Sequence, residues 1–123
     1  MIKMVYCLRR QPHLTPEQFR DYWLNTHGPL VRDAAGLLNI RRYVQHHPSH
    51  GELSEAMRAS RGAPEPYDGV AEIWFDSVEA MQAPAKSPEA RAVMRAIRED
   101  EATFIDQARS PAWLGEEHVL VQS

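Results

Sequence analysis

Few side chains in this sequence combine a reactive type with a spacing that aims them at one place. His27 follows Phe19 and Trp23 at helical intervals of four, so all three fall on one face and the imidazole points at the apolar side. It also ends its helix, one residue before Gly28-Pro29. An imidazole there serves either as a general acid or base tuned by burial and the helix terminus, or as a buried group that donates to a carbonyl and fixes the turn. Tyr43 lies in a run with strand character, where a period of two groups it with Arg41, Gln45 and His47. Its phenol can hydrogen-bond a carbonyl or enolate oxygen, or serve as a packing aromatic. Glu72 sits between Val70 and Trp74 on one strand face. A carboxylate there is expected to pair with Arg41 or Arg42, or to act as an acid in a pocket.

Other candidates carry less. His46, His47 and His50 are close in sequence, but neighbours on a strand point to opposite faces, so no metal site is expected. Cys7 is the sole cysteine; it has no adjacent activating base and reads as a small hydrophobe. The glycine-rich phosphate loops of nucleotide sites and the G-x-S-x-G turn of acyl-serine enzymes are both absent. No cofactor is expected.

The elements that must position these groups follow from pattern. Residues 1–8 alternate as a strand with apolar side chains on both faces, which implies cover on both sides. Thr15-Pro16-Glu17-Gln18 is a capping-box helix start, and the helix should run to Gly28-Pro29 with Phe19, Tyr22, Trp23, Thr26 and His27 inward. Pro29 can open a second short helix that Gly36 stops. Residues 38–47 read as a second strand, and Val70–Asp76 as a third. Between them, Pro48–Tyr67 reads as a long surface loop with a short helix around Ser54–Ala59. Ser77 caps a short helix, Ser87-Pro88-Glu89 opens a longer one with Ala90, Val93, Met94 and Ile97 as its apolar stripe, and Glu117–Gln122 is expected as the last strand. The order β-α-β-β-α-β predicts one ferredoxin-like α+β domain over residues 1–123, with a four-stranded antiparallel sheet. Helices cover one sheet face. The other carries apolar groups and calls for a partner, most simply a second copy pairing sheet to sheet as a homodimer.

Composition excludes several classes. The 123 residues fit one domain, and 43% hydrophobic with 25% charged residues is ordinary for a globular protein. A net charge of −3 argues against nucleic acid as a partner. No apolar run approaches the ~20 residues of a membrane span. The short apolar start precedes Arg9-Arg10 instead of following them, unlike a secretion signal, so a cytoplasmic location is expected.

TPEQFRDYWLNTHGPL over residues 15–30, RRYVQ over 41–45 and DGVAEIWF over 68–75 together resemble the EthD domain, with DEATFID at 100–106 and Glu116-Glu117-His118 fitting as well. The resemblance spans nearly the whole chain; residues 49–66 are its least typical part. It implies a dimeric α+β barrel whose relatives include lactone isomerases, polyketide cyclases, decarboxylases, dehydratases and cofactor-free monooxygenases. In the lactone isomerases a pocket histidine and tyrosine act, and the matching positions are His27 and Tyr43. The expected protein is thus a cofactor-independent enzyme that moves a proton on a small hydrophobic carbonyl or lactone substrate. Tyr6, Phe19, Trp23, Glu72 and Trp74 would line its pocket. The alternatives are an accessory or binding protein supporting an oxidoreductase, and a cofactor-free monooxygenase.

Overall fold

The computed structural model describes residues 1–123. Strand β1 (Ile2–Leu8) leads through a capped turn into α1 (Pro16–Tyr22). The capping box forms as the sequence predicts: Gln18 N–H donates to Thr15 Oγ1 at 3.1 Å, and Thr15 N–H donates to the Gln18 side chain at 2.9 Å. The helical path then widens into a π turn (Trp23–His27) and continues without a break as α2 (Gly28–Ala34). Proline inside a helix lacks the N–H that would bond four residues back and crowds that carbonyl, here the one of Asn25. The wider turn accommodates Pro29 where the sequence suggested a stop. It also changes the phase of the helix: Trp23 and His27 are buried, whereas Thr26, expected inward, is exposed.

Strand β2 (Arg42–His46) is followed by α3 (Gly51–Arg61), then β3 (Gly69–Phe75), α4 (Val78–Gln82), a 3-10 turn (Ala83–Lys86), α5 (Pro88–Phe104), a 3-10 turn (Gln107–Arg109) and β4 (Ala112–Gly115). Two expectations are corrected. The short helix expected around Ser54–Ala59 is an 11-residue helix, α3, that takes up much of the segment read as a surface loop, and none of its residues is buried. It is held locally by the Arg58–Glu55 ion pair and by Gly62, whose positive φ of 60° closes its end. The last strand is Ala112–Gly115, and residues 116–123 beyond it are exposed and irregular. The chain returns to the sheet directly after the 3-10 turn, where Cys7 N–H already bonds the Pro111 carbonyl, so no later segment can pair there.

The sheet has order β2-β3-β1-β4 and every pairing is antiparallel, the α+β arrangement predicted. Register assigns the faces. Met4, Tyr6 and Leu8 stand with Ala71, Ile73 and Tyr43 on the helix-covered face. Lys3, Val5, Val44, Val70, Glu72 and Trp74 stand on the other, which no helix covers. Leu8, Phe19, Trp23, Ala71, Phe104 and Ile105 form the core between sheet and helices. Burying them is the main source of cohesion, at roughly 1.5–3 kcal/mol for each large apolar side chain. Gly69 is part of that packing: a Cβ there would lie 2.3 Å from the Trp23 ring. No helix is long and apolar enough to cross a membrane.

Candidate active site

Between the sheet and the helices lies a cavity of about 220 Å³. Its wall is apolar apart from four titratable side chains, Tyr6 from β1, His27 from the π turn, Tyr43 from β2 and Glu101 from α5. A surface recess shares Met4, Tyr6, Met94, Ile97 and Glu101 with the cavity and continues past Arg98 and Gln107, so the cavity meets the surface beside α5.

His27 is 3% exposed, with its ring packed against Phe104 at 4.9 Å between centroids. Its Nδ1 lies 2.7 Å from Asp100 Oδ2 on α5, and the Tyr22 hydroxyl donates to the other Asp100 oxygen. An ionised carboxylate only accepts, so Nδ1 carries the proton that is shared. That leaves Nε2 as the acceptor nitrogen of the neutral ring. Nε2 has no protein partner, yet no sealed side-chain nitrogen in the chain lacks one; Nε2 therefore opens to the cavity. The carboxylate fixes ring orientation and tautomer and stabilises the imidazolium that forms when Nε2 takes a proton. Holding Asp100 also pushes the Tyr22 phenol above its ordinary value.

Tyr43 faces the same cavity from the sheet. Gln45 Nε2 donates to its oxygen at 2.8 Å and to the Trp23 carbonyl at 2.9 Å, while His47 Nε2 sits 2.8 Å from Gln45 Oε1 and stacks on Trp23. The Trp23 carbonyl is also the acceptor of the widened turn, bonding Gly28 N–H five residues on. A Cβ on Gly28 would come within 3.1 Å of Gln45 Nε2 and 3.2 Å of that carbonyl. Glycine is what allows the π turn and β2 to approach so closely. Burial raises the Tyr43 pKa, and hydrogen bonds from Gln45 and the Trp23 side chain partly oppose it. With those donors on its oxygen, the hydroxyl proton is free to point at a ligand.

Of the residues the sequence put forward, His27, Tyr43, Tyr6 and Trp23 are brought together on this wall. Phe19 is fully buried behind Trp23, a core residue that does not reach the cavity. Glu72 and Trp74 are on the uncovered sheet face and so cannot belong to it. The pairing expected of Glu72 with Arg41 or Arg42 is likewise corrected: Lys3 Nζ is its partner at 2.9 Å, and Arg42 lies over the Trp74 ring instead. Lys3 on β1 and Arg42 on β2 both pair with Trp74 and so lie equally diagonal to Glu72; the ammonium takes the carboxylate and the guanidinium stacks on the indole, while Arg41 pairs with Asp76.

Sequence reasoning gave Asp100 and Glu101 no role in the site. The signal was present: the stripe Ala90, Val93, Met94, Ile97 of α5 continues through position 101 to Phe104, and Glu101 is a carboxyl where that stripe demands an apolar residue.

Comparison with known proteins agrees with this fold. An ethyl tert-butyl ether d (EthD) family protein from Bacillus halodurans superposes with a TM-score of 0.62 at 19% identity, over 96% of this chain and 100% of that one. A dimeric protein of unknown function and ferredoxin-like fold from Bacteroides fragilis gives 0.59 at 12% identity, over 94% and 95%. SnoaB, a cofactor-independent oxygenase from Streptomyces nogalater (N63A mutant), gives 0.52 at 14%, over 98% and 97%. No curated protein matches the sequence. The EthD domain model, however, matches residues 11–108, which include the π turn, β2, β3 and all of α5. The chain belongs to the EthD domain family.

Proposed function

We propose that the cavity is the active site of a cofactor-independent enzyme that moves a proton on a small hydrophobic carbonyl substrate. The observation that carries this reading is the Asp100–His27 pair, which leaves Nε2 turned to an apolar cavity. His27 removes a proton from carbon next to the carbonyl, and Tyr43 donates its hydroxyl hydrogen to the oxygen on which charge develops. The apolar wall keeps water away and strengthens both interactions. A volume of about 220 Å³ is below the ~300–1,000 Å³ typical of drug-sized ligands. The substrate is accordingly small, at most one ring with a short chain.

The working unit in this reading is residues 1–123 as one domain, paired with a second copy in the cytoplasm. Supporting the homodimer are the uncovered sheet face, on which Val5, Val44 and Val70 stand, and the dimeric state named for the Bacteroides fragilis protein of like fold. The single cysteine is consistent with a reducing compartment.

The likeness to SnoaB favours one second reading, in which the carbanion made by the same base reacts with dioxygen instead of being reprotonated. The two share the first step. His27→Ala abolishes both activities with the protein still folded, and an unchanged rate in a panel of small ketones and phenols would refute both.

A further inference from the structure

Of the two titratable groups on the cavity wall that the proposed reaction does not use, Tyr6 and Glu101, Glu101 is the carboxyl. It makes no ion pair, and its sole hydrogen bond is a long one of 3.5 Å with the Gln107 side chain. Adjacent positions on an α-helix point about 100° apart. Asp100 thus reaches His27 and Tyr22, while Glu101 turns to the cavity at the side where it meets the surface. The groups around it are Tyr6 on β1, Tyr43 on β2, His27 in the π turn, Arg98 and Asp100 on its own helix, and Gln107 beyond it.

The geometry points to Glu101 as the catalytic acid of this site, protonating the group that leaves from a β-hydroxy carbonyl substrate whose α-proton His27 removes. This rests on the proposed function and narrows it to dehydration. The α C–H bond breaks and its proton passes to His27 Nε2; the electron pair forms the new carbon–carbon double bond as the β C–O bond breaks. The departing oxygen takes the Glu101 proton and leaves as water. Transfer of one proton from His27 back to Glu101 through solvent restores the enzyme. Glu101 is suited to the acid role because burial pushes its carboxyl up to about 7, with Asp100 adding to the shift and Gln107 and Arg98 opposing it. A neutral carboxyl in an apolar wall is a proton donor at ordinary pH.

The test uses the full chain and the aldol of acetone with benzaldehyde as probe. Dehydration to the conjugated enone is followed by near-ultraviolet absorbance, and α-carbon exchange in heavy water by NMR. Glu101→Gln is expected to lower dehydration about 10²-fold or more while retaining deuterium uptake, and His27→Ala to lose both. Dehydration by Glu101→Gln at the wild-type rate overturns the role of Glu101 and leaves that of His27 standing. Wild-type exchange without dehydration overturns it equally. Absence of wild-type exchange refutes the base itself, and the acid with it.

Discussion

His27 Nδ1 and Asp100 Oδ2 lie 2.7 Å apart although 73 positions separate them, so the π turn after α1 and the last stretch of α5 meet in one hydrogen bond. Asp100→Asn keeps the shape and offers the ring an amide instead of a carboxylate. The imidazolium then loses its counter-charge and the tautomer its lock. Activity should fall by about 10²–10⁴-fold, with far-ultraviolet circular dichroism unchanged.

Tyr43→Phe removes one hydroxyl and leaves the ring in place. It leaves Gln45 Nε2 with the Trp23 carbonyl as its remaining acceptor, so folding should weaken by only about 0.5–1.5 kcal/mol. The proposed role predicts a larger effect on kcat than on KM, because the hydroxyl acts on charge that appears only in the transition state. Steady-state kinetics separates the two.

Glu101 gives a pH signature in stability. Its carboxyl titrates at about 7 when folded against an ordinary 4.5. Between these values the folded state holds more protons than the unfolded one, so this group's contribution falls as pH rises through that window. Glu101→Gln cannot lose a proton. Its Tm should match that of wild type near pH 4.5 and exceed it above pH 7 by about 2–5 °C, measured by scanning calorimetry across the series.

Gly69→Ala tests the packing under the site. The new Cβ would meet outer carbons of the Trp23 ring at 2.3 and 2.7 Å, and that ring is packed against Phe19 and His47. Overpacking of this kind costs about 1–3 kcal/mol. Urea denaturation should show that loss, accompanied by a changed tryptophan emission.

Val44→Lys tests the uncovered sheet face. Val44 stands opposite Glu72 and away from the cavity, so a charge there should leave the protomer folded while separating the pair. Sedimentation at micromolar concentration is expected to show a dimer for wild type and a monomer for the variant; a wild-type monomer would refute the pairing.

The sequence pattern disclosed the elements with strong periodicity and hid those without it. Capping at Thr15 and Ser87, the alternation of β1 and the β formers of β3 all correspond to the elements found. Helix α3 was legible only in its middle, Ser54–Ala59, and its full extent was not, because none of its residues is buried and no core contact marks its ends. Strand β4 was misplaced because Val119, Leu120 and Val121 look more strand-like than Ala112–Gly115, while position in the sheet is decided by which segment reaches β1 first. The inward aim of His27 was legible from its spacing to Phe19 and Trp23. Its partner was not, because a contact across the fold leaves no local pattern; nor could strand alternation alone say that Glu72 and Trp74 face away from the helices.

Because the Trp23 carbonyl bonds the sixth residue of its turn instead of the fifth, everything downstream is out of step by one residue with an uninterrupted α-helix. Loss of a single codon between Trp23 and His27 would restore the regular ladder. Such a loss removes only the extra residue of the widened turn, so Trp23 and the residues from His27 onward would keep their places. A relative that aligns to this stretch with a one-residue gap is therefore expected to run through it as a regular α-helix with the same imidazole at the cavity.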